Sequence, residues 1–305
     1  MKTCAKMNTT WNDRIFDLVC NLFLCAFILV VFYPLYFVVV ASFTEPTIVN
    51  SGEVLLYPKE FTLTGYERVF KNKDIWTGYA NTILYTVCGT IFGTIVTVMA
   101  GYALSRKSLF GKSFIMKLLL FTMYFSGGTI PLYLIVRGLG LLDTRVILII
   151  LGSVSVYNII VVRSFMISNI PDELFEAATI DGCGQGTFFV KVVVPLSKAV
   201  ISVIVLYIAV SHWNAYFNAM IFLTDRNKYP LQMHLREILL LASASTTMDE
   251  AERASMTAAE LMELETFAQI IKYSVIVVST IPIICVYPFI QKYFVKGVMI
   301  GSVKG

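Results

Sequence analysis

Charge is what this chain has least of. Acidic and basic side chains make up 14% of its 305 residues, against 57% hydrophobic, where an ordinary soluble domain carries roughly a quarter charged residues. That excludes a soluble globule, and several runs of about 20 apolar residues define an all-α, polytopic membrane protein. The net charge is only +4 and no Lys/Arg-rich segment occurs, which argues against a nucleic-acid partner. Cys4, Cys20, Cys25, Cys88, Cys183 and Cys285 show no C-x-x-C spacing. None falls in an outer loop of the topology below, so neither a disulfide framework nor a metal cluster is supported. They read as small apolar fillers of helix interfaces. No G-x-x-x-x-G-K-S/T phosphate loop is present, so the nucleotide site of any ATP-driven process must belong to another polypeptide.

Six transmembrane helices are expected. Residues 1–14 form a short polar N-terminus with Lys2, Lys6 and Arg14, and 15–42 a first span, too long for a signal-peptide core. An outer loop, 43–79, includes a short helix at LTGYERVF. The core, 80–294, begins with a span at about Ala80–Leu104 whose Gly89, Gly93, Thr97 and Gly101 suit close helix approach. The third span, about Phe114–Val136, is interrupted by Ser126-Gly127-Gly128 and Pro131, a weakness tolerated at depth where protein or a wet cavity satisfies the freed backbone. Span four runs from about Val146 to Ile167, span five from Leu196 to Leu223, and span six from Ile270 to Phe294 with bends at Pro282 and Pro288. A tail, 295–305, ends the chain. Short segments rich in Arg106, Lys107, Lys112, Lys191, Lys198, Lys292 and Lys296 share one side, with both termini; that side is assigned to the cytoplasm. The outer loop 224–267 opens with an amphipathic pattern after Tyr229-Pro230 and ends in the acidic helical stretch MTAAELMELETF. It offers a surface for an external partner.

The cytoplasmic break 171–195, PDELFEAATIDGCGQGTFFVKVVVP, is far longer than a connection between two helices needs. Pro171 fits a first helical position, and Asp172 and Glu173 complement the positive end of the helix dipole. Leu174, Ala177 and Ala178 share a face that a neighbouring surface can approach closely, with Glu176 as a fixed charge beside them. Gly182 after Asp181 marks a left-handed helix stop. Thr187–Val194 then resumes as a second helix anchored by Phe188 and Phe189.

Glu176-Ala177-Ala178, three residues, Gly182, nine residues, Val192, one residue and Val194-Pro195 resemble the EAA loop of permease subunits of binding-protein-dependent ABC importers. Val replaces the usual Ile and Leu before the proline, and Cys183 stands where Ala is common. The resemblance covers nearly the whole chain. FSGGTIPLYLIVRGLGLLDTR, VSVYNIIVVRSFMISNIPDELFEAATIDG, HWNAYFNAMIFLTDRNKYPLQMHLREILL and YPFIQKYFVKGVMIGSVKG look like carbohydrate importers of the maltose-type and polysaccharide-type branch. It implies a type I ABC importer permease fold in a bacterial cytoplasmic membrane and import of oligosaccharides or polysaccharide fragments. It also implies a second permease as heterodimer partner, a cytoplasmic ATPase dimer and an extracytoplasmic solute-binding protein. This chain would be a transport subunit without catalysis, ATP and Mg being bound by the partner ATPase. Glu176, Ala177, Ala178, Asp181, Gly182 and Pro195 would form the coupling element, and GVMIGSVKG resembles a tail that reaches the ATPase interface.

In span five, Trp213, Asn214, Tyr216 and Asn218, beside His212, offer the aromatic faces and amides that sugars bind, and are the expected substrate-pathway residues. Arg163, near the inner end of span four, is placed to snorkel to the headgroups. An ion-driven secondary transporter would need intramembrane carboxylates or histidines as a relay; His212 alone lies well inside a span. An importer permease for a non-sugar solute shares the loop and is separated from the carbohydrate reading only by the resemblance.

Overall fold

The computed structural model describes residues 11–54, 56–242 and 268–285. The described chain is helical apart from an isolated bridge between Thr44 and Phe61, with no strand among the described residues. It falls into two compact units, divided at Val69/Phe70, Leu240/Leu241 and Val277/Val278.

In the first unit, α1 (Trp11–Ala41) is apolar on all sides, with a mean hydropathy of 2.7 over its best window. Nearly every side chain up to Val39 is exposed within this chain. A helix apolar all round belongs in lipid or against other membrane protein. Its 31 residues reach about 46 Å, longer than the hydrocarbon layer. Only its end is packed: Val40 and Ala41 meet Val49, of α2 (Pro46–Asn50), and Val54, with Phe37 and Tyr273 edge to face at 6.1 Å. The helix expected at LTGYERVF is α3 (Thr64–Lys71). There Gly65 admits Ser274 so closely that a Cβ would lie 2.3 Å from its hydroxyl.

The second unit is built on α4 (Lys73–Ser105). Asn72 caps it by accepting from the Asp74 amide at 2.9 Å. Gly89, Gly93, Thr97 and Gly101 recur every fourth residue and line one buried face. A Cβ on Gly93 would lie 2.2 Å from the Ser153 carbonyl oxygen, and one on Gly101 2.6 Å from Val162 Cγ1. A Cβ on Gly89 would lie 2.4 Å from His212 Nε2, which instead bonds Ser153 Oγ at 3.0 Å. The backbones approach because these side chains are missing, as the small-residue spacing suggests.

The third apolar segment is α5 (Lys112–Tyr124) and α6 (Thr129–Gly138), bent by 114°. Gly128, at φ 86 and ψ 173, occupies backbone space open to glycine. Pro131 sits in the first turn of α6, where its missing N–H is no loss. The fourth segment, expected as one span, is divided. α7 (Arg145–Ile150) ends in a turn with Gly152 at φ +82 and buried Ser153, and α8 (Val156–Asn169) follows. Next come α9 (Asp172–Ile180) and α10 (Gln185–Leu196), an 81° bend, and α11 (Lys198–Trp213). Asn214–Tyr216 break the fifth segment before α12 (Phe217–Phe222); α13 (Leu231–Ala242) and α14 (Ala268–Cys285) complete the described helices. α1, α4 and α14 are each long and apolar enough to cross a membrane, and each bent pair, α5–α6 and α10–α11, passes the test as one broken span. The N-terminus up to Thr10, the acidic stretch of the outer loop, Pro288 and the tail 295–305 lie outside the described residues.

Among the described residues two apolar clusters hold this unit. Val98, Val162, Met166, Ile170, Phe188, Val193, Val200, Ile204 and Ile208 join the C-terminal half of α4 to α8, α10 and α11. Tyr85, Val136, Ile147, Leu148, Ala219, Phe222 and Leu223 join its N-terminal half to α6, α7 and α12. The N-terminal end of α4 is also tied to the turn after α12. Asn81 Nδ2 donates to the Asn227 and Tyr229 carbonyls at 2.7 and 3.1 Å, and Thr82 Oγ1 accepts from the Leu231 amide at 2.8 Å. Asp143, at φ 54, anchors this turn by accepting from the Thr224 and Asp225 amides, both at 3.1 Å, and from Lys228 Nζ at 2.9 Å. The Lys228 ammonium and the two amides hold its carboxyl down at about 2.

Candidate functional site

The break 171–195 lies at the C-terminal end of α4, and the 224–229 turn at its N-terminal end. Asp74, which pairs with Arg226 at 3.4 Å, and Arg106, which pairs with Asp172 at 3.4 Å, are about 48 Å apart along α4 at 1.5 Å per residue. The two regions therefore lie at opposite ends of a membrane-length rod.

α9 begins one residue later than expected: Pro171 is its N-cap, at φ −66 and ψ 150, and Asp172 its first residue. Its end is a Schellman motif. The Gly182 amide bonds the Thr179 carbonyl at 3.0 Å, the Cys183 amide reaches back to Ala178 at 2.8 Å, and Gly182 takes φ +76. The apolar contact that accompanies such an end is supplied by Cys183 and Ala178, both packed on the inner cluster. This corrects the expected faces. Phe175 and Ala178 turn inward, Phe175 standing edge-on to buried Phe188 at 5.2 Å. Leu174, Glu176, Ala177, Ile180 and Asp181 face outward, and Ile180 is 87% exposed. With Leu174 at 41%, it leaves two large apolar side chains open on the outward side of α9.

The second half of the break contains a π turn at Phe189–Val193. It directly precedes Pro195, which has no N–H to give and whose ring would press on the carbonyl four residues earlier in a regular helix. Pro195 is exposed, while Phe188 and Val193 are fully buried. Nothing in the sequence pattern distinguishes this wide turn from an ordinary helix.

The fifth-segment cluster divides. His212 is buried between Gly89 and Ser153. Trp213, 8% exposed, donates from Nε1 to the Ser279 carbonyl at 3.3 Å and meets Tyr79 edge-on at 6.2 Å, so its indole joins α11 to α14. It borders an almost wholly apolar groove of about 730 Å³ that includes Ile83, Val87, Leu206 and Ile283. Asn214, by contrast, is exposed where α11 ends and donates to the Val210 carbonyl at 3.0 Å. Tyr216 is exposed at the break, with the Arg236 guanidinium 5.6 Å from its ring centroid, and Asn218 is half-buried on α12. Arg163 Nε donates to the Leu104 carbonyl at 3.1 Å, closing the end of α4. The acceptor lies on a distant helix, so no local pattern announces it.

Membrane-length helices with a paired-helix break at one end of a central rod, carrying an alanine-glycine loop motif, have the architecture of a transporter's membrane subunit. The chain belongs to the permease subunits of carbohydrate ABC importers. No family model matches it, but individual proteins do. It is 40% identical to the polygalacturonan/rhamnogalacturonan transport system permease protein YtcP of Bacillus subtilis, over 96% of this chain and all of that one. Protein LplC of the same organism is 37% identical over 98% of each chain. A chain in the crystal structure of a bacterial ABC transporter involved in import of the acidic polysaccharide alginate superposes with a TM-score of 0.82. It is 36% identical, covering 93% of this chain and 98% of that one.

Proposed function

We propose that this permease forms half of the translocation pathway of an oligosaccharide importer, paired with a second, different permease and driven by a cytoplasmic ATPase dimer that binds ATP and Mg. A solute-binding protein on the outer side delivers the cargo. Both termini and the break 171–195 face the cytoplasm, in keeping with Arg106, Lys107 and Lys112 at that end of α4. The observation that carries the reading is α9 itself: a short helix buttressed by Phe175 and Ala178 and stopped by Gly182, with Leu174, Glu176, Ala177 and Ile180 outward. Those outward residues, with Asp181, dock in the ATPase. Ala178, Gly182 and Pro195 set the angle at which they do so.

We further assign the cargo to acidic oligosaccharides. Two of the proteins this chain resembles are named for polygalacturonan and for the acidic polysaccharide alginate. In this chain the pathway surface lies at the Asn214–Tyr216 break, a non-helical stretch of the kind that lines substrate routes. Asn214, Tyr216 and Asn218 present amides and a ring there, and Trp213 fixes the break from behind. Arg236 sits against exposed Tyr216 and gives Nη1 to Met220 Sδ at 2.9 Å; it is in no ion pair among the described residues, and its remaining N–H groups match a uronate carboxylate.

The test is uptake by the full complex in proteoliposomes. ATP-dependent entry of labelled oligogalacturonate, slowed by Arg236→Gln, is expected. Entry of neutral oligosaccharides alone would refute the acidic cargo, and full uptake without this chain would refute the permease assignment.

A further inference from the structure

One arginine joins the end of α4 to the start of α9. The Arg106 guanidinium lies 4.1 Å from the Phe175 ring centroid and 5.9 Å from that of Tyr102. Its Nη1 is 3.4 Å from Asp172 Oδ1, and its side chain is only 13% exposed. Lys107 Nζ holds the other Asp172 oxygen at 2.9 Å. Beyond Phe175 stands fully buried Phe188, while Tyr102 lies against Phe189 at 4.9 Å. An unbroken run of contacts therefore leads from α4 through Arg106 to both helices of the break. A carboxylate at a helix N-terminus is already favoured by the dipole, and two cations with a planar stack exceed what capping requires. The pairing agrees in both directions: the Lys107 hydrogen bond holds the Asp172 carboxyl below its usual range, and Asp172 holds Lys107 above the lysine range.

Toward α8, α9 packs through Phe175 and Ala178 on the cluster that holds Met166 and Ile170. A cavity of about 310 Å³ opens at the joint, between Tyr102, Ser105 and Arg106 of the α4 end, Met166 and Ile170 of the α8 end, and Asp172 at the α9 start. The Tyr102 hydroxyl has no hydrogen-bond partner among the described residues. Across that cavity, the Arg106 contact with Asp172 and Phe175 is the filled, charge-paired bridge between α4 and α9. Interiors pass displacement through packed atoms, not across gaps. From Arg106 the rod α4 runs to Asn81 and Thr82, which hold the 224–231 segment at its far end.

We propose that Arg106, with Asp172 and Phe175, is the joint through which movement of α9 is delivered to α4, and through α4 to the outer turn. These are positioning residues for coupling, and the proposal rests on the reading of α9 as the ATPase-docking helix. In the reconstituted importer, Arg106→Gln and Asp172→Asn leave the ATPase bound and hydrolysing ATP. Sugar moved per ATP falls about fivefold or more, the range of residues along a coupling network. Asp172→Glu restores the ratio to within about twofold, and Arg106→Glu with Asp172→Arg exceeds either single exchange. Should Arg106→Gln fail to insert, Asp172→Asn, at the helix surface, carries the test alone. An unchanged ratio in Asp172→Asn overturns the proposal. So does loss of the ATPase from that variant, which would make the pair part of the docking surface. Failure of the docking reading itself registers separately, as normal ATPase binding by Ala177→Arg.

Discussion

Replacing Gly93 by alanine tests the packing that makes α4 a transmission rod. The added methyl would lie 2.2 Å from the Ser153 carbonyl oxygen, 2.9 Å from its carbon and 3.1 Å from Ile208 Cδ1. About 1 Å of separation must be found to restore ordinary contact. The obstacle is backbone in the turn between α7 and α8, set by Gly152 at φ +82 and held by Ser153 to His212. Alanine gains about 1 kcal/mol of helix propensity, while overpacking a rigid site costs about 1–3 kcal/mol or more. Where the obstacle is backbone the upper end applies, leaving a net loss of about 1–2 kcal/mol. For Gly89→Ala the three nearest atoms all belong to the His212 ring. Rotation frees it for the loss of one hydrogen bond, about 1 kcal/mol, which the propensity gain offsets. Gly101→Ala, facing the stiff branch of Val162, falls between. Gly186→Ala, with nothing within 4 Å and no positive φ, is neutral or stabilising. Thermal unfolding of the detergent-solubilised complex reads the series, at roughly 2–4 °C per kcal/mol for a unit of this size. The reasoning fails if Gly93→Ala melts at or above wild type, or if Gly89→Ala is the worst of the four.

Gly182 makes a purely conformational prediction, since a Cβ there meets nothing within 4 Å. Ala pays the left-handed penalty of about 1 kcal/mol and Asn much less. ATPase co-purification should therefore rank Gly above Asn above Ala; equal retention would show that φ is irrelevant. Asp143 yields a pH dependence. Its folded carboxyl is depressed to about 2, so its stabilisation is complete above the unfolded value near 3.9 and is lost as pH falls toward 2. Asp143→Asn should lower the melting temperature at pH 7, and the difference from wild type should close between about pH 4 and pH 2. A difference independent of pH would remove the carboxylate from the account.

What could be read in advance was local. The four-residue spacing from Gly89 to Gly101 announces a close approach whatever lies across it, and Ser126-Gly127-Gly128 announces a break because glycine alone occupies the observed φ and ψ. Gly182 behaved likewise: a helix stop is written in the residues that form it. Features decided by distant partners stayed hidden. The turn at Gly152-Ser153 sits inside an apolar run and is fixed by Gly93, some sixty residues earlier. The bond from the Trp213 indole to the Ser279 carbonyl needs α14 to supply the acceptor. Ala178 lies between Leu174 and Phe175 on a wheel, and which side turns inward is decided by the cluster around Phe188 that receives Phe175, Ala178 and Cys183. Arg106 looked like one of several cytoplasmic basics marking orientation, because its meaning depends on Phe175 and Asp172 across a long separation in sequence.

The docking of α9 is tested most directly by a photo-crosslinking residue at Ile180, its most exposed apolar position, in the assembled importer. Illumination should join this chain to the ATPase subunit, whereas the same group at Phe110, exposed just beyond α4, should not. Capture of lipid or of the second permease alone at Ile180, with the ATPase present and active in the same complex, would contradict the account.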